Sequence, residues 1–210
     1  MWLHYGDIMI VGIFGFIGSG KTTVGELLKN NGYTQLSFAD SLKDAVSVIF
    51  GWDRALLEGN TIESREFRET PDIFWSDKFG RSVTPRWVLQ YFGTDVCRTH
   101  LLEDIWLSSL EKKLSQHENI VITDVRFTNE IDFLRKRGAK FLQVNRDSAI
   151  PPWFKLFMKW DLETFDDFAK LNNIHESEYS WLTSPVKRCI LDNNGNISDL
   201  NRQLTNWINT

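Results

Sequence analysis

Continuous apolar runs and short amphipathic stretches alternate along the chain. The run IMIVGIFG at 8–15 predicts a parallel strand buried on both faces, and a helix is expected to begin at Lys21. A second strand is predicted at 34–39, followed by a helix at 41–51 that ends at Gly51. Strands and helices that alternate in this way are typical of a doubly wound, mostly parallel sheet.

The same alternation returns in the second half of the chain. The predicted elements are strand 119–124, helix 128–138, strand 139–146, strand and turn 185–195, and helix 198–208 with Ser198 as its cap. The sequence therefore predicts an α/β fold with a five-stranded, mostly parallel sheet and helices on both faces.

The stretch between the second and third strands follows a different pattern. Residues 52–83 are polar and predict irregular structure. The segment SVTPRWVLQYFGTDVCRTH at 82–100 predicts two helices broken at Gly93, the second running to about His117. We expect this region, about 52–117, to be a helical insertion.

A second region, about 147–180, is rich in aromatic residues, and its pattern does not assign it to helix or strand. We expect it to be another insertion into a single domain that spans 1–210. Residues 1–8 lie upstream of Met9, and no function is assigned to them.

Composition narrows the classes of function. With 42% hydrophobic residues among 210, the chain can bury one sizeable core. The formal net charge of −4 leaves no basic excess for a nucleic-acid partner. Two cysteines make neither a disulfide framework nor a zinc site, which favours a reducing, cytoplasmic location. The apolar start lacks a basic region and a cleavage site, so neither a signal peptide nor a membrane partner is expected.

The segment GFIGSGKT at 15–22 matches the phosphate-binding pattern G-x-x-x-x-G-K-[ST]. Because it joins a buried strand to a helix, its backbone N–H groups are expected to cradle phosphates, with ATP as the donor. Lys21 is expected to reach the terminal phosphates and the Thr22 hydroxyl to bind Mg²⁺. The residues expected to hold the nucleotide are Gly15, Gly18, Ser19, Gly20, Lys21, Thr22 and Thr23. The N-K-x-D motif of a GTPase is absent, which favours a P-loop kinase of small molecules.

Two predicted strands end in aspartate, at the edge where open α/β sheets bind ligands. Asp124 is a candidate for holding Mg²⁺ or its water, and Arg126 is expected to point to the same edge. A cap on the next helix is the alternative for Asp124. Asp40 either contacts the acceptor or caps the helix that starts at Ser41.

Arginines indicate the chemistry of the acceptor. The candidates are Arg65, Arg68, Arg86, Arg98 and Arg126. Arg86 and Arg98 lie among apolar residues, where a guanidinium needs an anion, and a pair with Asp95 is the simpler alternative for Arg98. A phosphate acceptor is already anionic and needs positive charge rather than a base. Trp75, Trp87 and Tyr91 offer ring faces for a nucleobase, although core packing explains such rings equally well.

Five segments appear in a distinctive order: GFIGSGKTT, SFADSLKDAV, TPRWVLQYFGTDVCR, VITDVRFTNEIDFLRKRGAKFLQVNR and HESE. The series, which covers most of the chain, resembles the deoxynucleoside monophosphate kinases of tailed bacteriophages. The resemblance implies an ATP- and Mg²⁺-dependent kinase that makes deoxynucleoside diphosphates for phage DNA synthesis in the host cytoplasm. It also implies a nucleoside-monophosphate-kinase-like fold and a homodimer.

By motif position, the resemblance carries Lys21 and Thr22 over to the triphosphate. The residues it carries over to the acceptor and metal side are Arg86, Gln90, Asp95, Arg98, Asp124, Arg126 and Glu130. The Trp- and Phe-rich stretch 151–168 matches the family's lid poorly and is expected to be an insertion. His175, Ser177 and Glu178 match a recurring segment, for which a helix cap and a ligand contact remain alternatives.

The prediction is transfer of the γ-phosphoryl group of ATP to a deoxynucleoside 5′-monophosphate, with Lys21, Arg86, Asp124 and Arg126 as the catalytic candidates. Two alternatives remain. One is a kinase for a hydroxyl acceptor such as dephospho-coenzyme A, whose rate would depend on a carboxylate base. The other is a non-catalytic sensor that binds ATP and a protein partner.

Overall fold

The computed structural model describes residues 9–159, 165–174 and 176–209. The chain forms two compact units. The helical unit is Ser37–Lys113, and the P-loop unit comprises the described residues on either side of it. The single domain with two insertions stays a prediction, and His175 lies outside the described residues.

The P-loop unit is built on one sheet. Its strands are β1 (Met9–Phe14), β2 (Thr34–Leu36), β3 (Asn119–Ile122), β4 (Lys140–Asn145) and β5 (Arg188–Asp192). They are ordered β2-β3-β1-β4-β5, and every neighbouring pair is parallel. In the register of the central strand, Val11 pairs with Val121 on one side and Lys140 on the other. The predicted α/β sheet is thus confirmed.

Helices of the P-loop unit cover both faces of its sheet. In chain order the described α-helices are α1 (Lys21–Asn30), α2 (Asp40–Phe50), α3 (Ile62–Glu69), α4 (Ile73–Phe79), α5 (Pro85–Gln90), α6 (Ile105–Leu114), α7 (Thr128–Arg135), α8 (Pro152–Phe157), α9 (Phe165–Leu171) and α10 (Ile197–Ile208). Leu28 of α1 and Leu204 of α10 pack with Val11 in one fully buried cluster. On the other face, a Cβ added to Gly12 would lie 3.4 Å from Cδ1 of Leu134 in α7.

The helical unit differs from its sequence prediction at 52–83. The prediction of irregular structure was wrong, because α3 and α4 lie there. The Thr61 side chain accepts a hydrogen bond from the Ser64 backbone N–H at the start of α3, and Asp72 does the same for Trp75 at the start of α4. These caps satisfy N–H groups that a short helix leaves open.

Gly93 does not break the helix in which it lies. Helix α5 continues without interruption into a π-helical segment, Tyr91–Arg98. The helix lies close to α2 at this point, since a Cβ on Gly93 would lie 2.7 Å from Cδ2 of Leu42. The indole N–H of Trp106 donates to the Gly93 carbonyl at 3.0 Å, inside the wide turn. The prediction of one helix running to His117 was also wrong, because α6 is separate.

Smaller differences lie at element ends and in the aromatic segment. Helix α10 is capped by Asn196 rather than Ser198, because the Asn196 side chain accepts from the N–H groups of residues 198 and 199. The 147–180 region does contain regular structure, α8 and α9, whose rings pack together around buried Phe165. Among the described residues, no helix is both long and apolar enough to cross a membrane.

Candidate active site

The glycine loop after β1 forms a tight turn. The backbone N–H of Ser19 donates to the Phe16 carbonyl at 3.1 Å. Gly15, Gly18 and Gly20 all have positive φ, of 146°, 83° and 105°. A Cβ on Gly15 would lie 2.7 Å from the Val144 carbonyl oxygen, so the loop runs directly over the end of β4. The loop therefore presents main-chain N–H groups at the start of α1, as an anion cradle requires.

A side chain from the turn after β5 fixes the end of this loop. The Asn193 Nδ2 donates to the Ser19 carbonyl at 2.7 Å. It fills the space next to Gly20, where an added Cβ would lie only 2.2 Å away. The turn itself was predicted, but nothing in its spacing indicated a contact with the loop.

Replacing Gly20 by alanine should therefore damage the loop. Alanine is strained at the positive φ of this position, and its Cβ would displace the Asn193 side chain. We therefore expect nucleotide affinity to fall at least tenfold and the protein to lose about 1–3 kcal/mol of stability. Gly32→Ala is the matched control, because Gly32 also has a positive φ (86°) but nothing within 4 Å. Calorimetric titration with nucleotide and urea unfolding measure the two effects. Unchanged affinity in Gly20→Ala would show that Asn193 does not shape the loop.

Lys21, the first residue of α1, turns back over the loop. Its Nζ donates to the carbonyls of Gly15 (2.7 Å) and Phe16 (2.9 Å). Burial lowers the pKa of Lys21 to about 8; the charge of Arg126 acts in the same direction and that of Glu178 opposes it. The Lys21 ammonium group is thus held at the loop, and the charges of Arg126 and Glu178 both affect its pKa.

Arg126 lies in the same cleft as Lys21, with its backbone fixed on both sides. The Glu130 Oε2 accepts from the Arg126 N–H at 2.8 Å, and the Ser180 Oγ donates to the Arg126 carbonyl at 2.5 Å. Glu130 and Ser180 are buried, whereas Arg126 is exposed. A fixed backbone with an exposed guanidinium suits a residue that meets a ligand. Whether Glu130 also contacts substrate stays a prediction.

The cleft contains a residue for which the sequence leaves a helix cap and a ligand contact as alternatives. Glu178 lines this narrow cleft together with Lys21 and Arg126. Trp181 forms part of the wall and is 3% exposed. The HESE segment is the only sequence signal for Glu178, and it does not indicate that the side chain faces the P-loop.

Aromatic rings hold the second residue of the loop. The Phe16 ring lies 5.1 to 5.7 Å from the rings of Trp153, Phe154 and Trp181, measured between centroids. Such contacts stabilise by more than their buried area. The aromatic segment after β4 therefore supports the P-loop directly.

The two residues predicted to bind metal lie in the P-loop unit. Thr22 and its neighbour Thr23 are exposed in the first turn of α1, and Asp124 follows β3. Helix α1 packs closely on the end of β3, since a Cβ on Gly25 would lie 2.7 Å from Cγ2 of Thr123. No group of three or more His, Cys, Asp or Glu side chains within the described ranges forms a metal site.

Three predicted acceptor residues make contacts within the helical unit. The Asp40 carboxylate accepts from the Ser37 N–H at 2.8 Å and from Arg54 Nη2 at 3.4 Å. Arg65 Nε donates to the Gly59 carbonyl at 3.1 Å, and Arg68 Nη1 to the Glu58 carbonyl at 3.3 Å. Arg54 had not been singled out from the sequence.

Four further acceptor candidates lie on α5 and the π-helical segment of the same unit. Arg86 forms an ion pair with Glu69, while Gln90 and Asp95 are exposed and Arg98 is partly buried. The ring of Trp87 stacks on Tyr91 at 5.0 Å. The helical unit thus carries guanidinium groups and an exposed ring on one continuous stretch of helix.

Comparison with known proteins identifies the family. The family model for deoxynucleotide monophosphate kinase matches residues 54–151. A putative deoxynucleotide monophosphate kinase from Acanthamoeba polyphaga mimivirus is 35% identical over 199 residues, covering 85% of this chain and 96% of the relative. The chain belongs to the deoxynucleotide monophosphate kinase family. The deoxynucleoside-5′-monophosphate kinase of Escherichia phage T5 is a further relative, 27% identical over 73% of this chain and 82% of its own.

Membership in the deoxynucleotide monophosphate kinase family confirms the resemblance found in the sequence and makes the chain a kinase. Among solved structures, TT1252 from Thermus thermophilus covers 97% of each chain at 23% identity with a TM-score of 0.48. Shikimate kinase from Aquifex aeolicus covers 96% of each chain at 15% identity with a TM-score of 0.42. The family assignment rests on the viral relatives.

Proposed function

We propose that this deoxynucleotide monophosphate kinase family member transfers the γ-phosphoryl group of ATP to a deoxynucleoside 5′-monophosphate. One observation carries the proposal: Arg126 of the D-x-R-x-x-x-E segment and Lys21 of the P-loop line one cleft. Two cations beside a phosphate cradle suit a reaction that brings anionic groups together. The named activities of the viral relatives support the same reaction.

Each side chain then has a separate task. Lys21 and the loop N–H groups neutralise the triphosphate, and Arg126 stabilises the charge on the transferring group. Arg65, Arg68, Arg86, Gln90, Asp95 and Arg98 of the helical unit are proposed to hold the acceptor. A monophosphate is ionised at neutral pH, so no general base is required, and Asp40 need not act as one.

Mg²⁺ is proposed to bind at Thr22 with Asp124 nearby. Both side chains offer oxygen atoms, which this ion prefers, and α1 packs closely on the end of β3. When bound, the metal neutralises phosphate charge. The homodimer and the host cytoplasm remain predictions.

A direct assay tests the proposed reaction. The protein is incubated with ATP labelled in the γ-phosphate and, in turn, with each deoxynucleoside monophosphate, each ribonucleoside monophosphate and dephospho-coenzyme A. Labelled diphosphate is expected with at least one deoxynucleoside monophosphate. Label on dephospho-coenzyme A instead would indicate a hydroxyl acceptor, and ATP binding without any labelled product would indicate a sensor; either result would contradict the proposal.

Nucleotide affinity should fall as pH rises through about 8. A lysine that has to be protonated to hold phosphate keeps full affinity below its pKa, which is about 8 for Lys21 in the free protein. Above that pH, binding must supply the proton, so affinity should decrease by up to about tenfold per pH unit. Titration with ATP between pH 7 and 9.5 measures the slope. The Lys29→Ala variant, which removes an exposed lysine that pairs with Glu26, should show the same dependence on pH as wild type. If the affinity of wild type did not change with pH, Lys21 would not be the group that holds phosphate.

A further inference from the structure

A carboxylate lies where the proposed function expects anions. The cleft of the P-loop unit is lined by two cationic side chains, Lys21 and Arg126, and one anionic side chain, Glu178. An acid beside these cations weakens the attraction for every phosphate that enters. The presence of Glu178 in this cleft therefore needs an explanation other than direct attraction of phosphate.

The backbone around Glu178 is fixed. The Glu178 carbonyl accepts from the indole N–H of Trp181 at 3.1 Å. Trp181 is almost fully buried and packs edge-on against Phe16 of the loop, 5.2 Å between centroids. Ser180 Oγ ties the same turn to the Arg126 carbonyl at 2.5 Å. The turn that carries Glu178 thus contacts both the P-loop, through Trp181, and the backbone of Arg126, through Ser180.

We propose that Glu178 is a specificity-determining residue that makes the cleft prefer the Mg²⁺ complex of the nucleotide over the metal-free nucleotide. The inference rests on the proposed function, because it takes ATP as the donor. Metal-free ATP carries more negative charge than its Mg²⁺ complex, so a fixed carboxylate repels it more strongly. Glu178 therefore lowers the affinity for metal-free ATP more than the affinity for the Mg²⁺ complex.

The same carboxylate has a second effect that is consistent with this role. Its charge opposes the effect of burial and of Arg126 on Lys21, and so helps to keep the Lys21 ammonium protonated in the free protein. Glu178 thus has two effects on the cleft. It helps Lys21 to stay protonated, and it reduces the net positive charge that attracts anions.

Binding measurements on matched variants test the proposal. Glu178→Gln removes the charge and keeps the shape and the backbone contact with Trp181. Glu176→Gln is the control, because Glu176 belongs to the same turn, is exposed and does not line the cleft. Calorimetry gives the dissociation constants of wild type and both variants for ATP with EDTA, for ATP with MgCl₂, and for inorganic tripolyphosphate with EDTA. Thermal unfolding checks that all three proteins fold alike.

In Glu178→Gln, metal-free ATP and tripolyphosphate should bind about tenfold tighter, and the Mg²⁺ complex about threefold tighter or less. Glu176→Gln should match wild type in all three titrations. Equal gains for both forms of ATP, or no gain, would overturn the proposal. A selective loss of the Mg²⁺ complex would also overturn it, because Glu178 would then bind the metal.

The titrations with ATP and tripolyphosphate do not depend on which acceptor the kinase uses. If wild type binds ATP and labels a deoxynucleoside monophosphate but the preference is unchanged in Glu178→Gln, the inference fails and the proposed function stands. If no monophosphate is labelled, the proposed function fails, while the titrations still report on Glu178.

Discussion

Phosphoryl transfer should fall by about a thousandfold or more when Lys21 is replaced by alanine, while the protein stays folded. The ammonium group lies over the loop and is bonded to the carbonyls of Gly15 and Phe16, so it is positioned to neutralise phosphates. Its burial lowers its pKa, which indicates that the charged form is costly in the free protein and gains from an anion. Initial rates with labelled ATP measure the loss, and circular dichroism with thermal unfolding reports on the fold.

Lys29→Ala is the matched control for Lys21→Ala. Both lysines lie on α1, but Lys29 is at its other end, where it pairs with Glu26 at the surface. Its removal should leave the rate within about twofold of wild type, since exposed pairs contribute little. Equal rates in Lys21→Ala and Lys29→Ala would show that the P-loop of this chain does not act on the transferred group.

Replacing Arg126 by alanine is expected to slow transfer by about 100- to 1000-fold without unfolding the protein. The backbone of Arg126 keeps its contacts with Glu130 and Ser180 in this variant, because neither involves the guanidinium. The loss should therefore appear mainly in kcat, as expected for a group that acts on the transferring phosphoryl. Steady-state kinetics with varied ATP and varied monophosphate separate kcat from the two KM values.

Two further variants sharpen the result for Arg126. Arg126→Lys restores the charge but not the fork of N–H donors, so it should recover only part of the rate. Arg135→Ala removes an exposed arginine of α7 that pairs with Asp132, and it should behave as wild type. If Arg126→Ala retained wild-type kcat and KM, Arg126 would have no part in the reaction.

The sheet and the P-loop were predictable because their information is local. A buried parallel strand gives a continuous apolar run, and the loop motif is contiguous in sequence, so β1, the loop and α1 follow from the stretch 8–30 alone. The strand order does not follow from such runs. It depends on which strands pair, and β1 pairs with β3 and β4 rather than with its neighbour in sequence.

The helical unit was harder to predict because its helices are short and partly exposed. Ile62 and Ile73, at the starts of α3 and α4, are 75% and 89% exposed, so the apolar residues of these helices do not all mark a buried face. The capping residues Thr61 and Asp72 were the available signals. The sequence also does not distinguish a glycine inside a helix that lies close to a neighbouring side chain, as Gly93 lies to Leu42, from a glycine that ends a helix.

The cleft shows the limit of motif reasoning. Spacing identified Lys21 and Arg126 separately, because each belongs to a contiguous segment. Glu178, Ser180 and Asn193 reach the same region from distant turns, through folding rather than through spacing. Residues of this kind are found only when the topology is known.

The packing of Phe16 against Trp153, Phe154 and Trp181 restricts how this enzyme can be altered. A glycine loop transplanted from a relative with a small second residue would leave a void among those three rings, and a shortened aromatic segment would leave the native loop unsupported. Chimeras that exchange the glycine loop and the aromatic segment together should fold and bind nucleotide, whereas chimeras that exchange only one of them should not. In the evolution of such chains, the two stretches are therefore expected to be inherited as a pair.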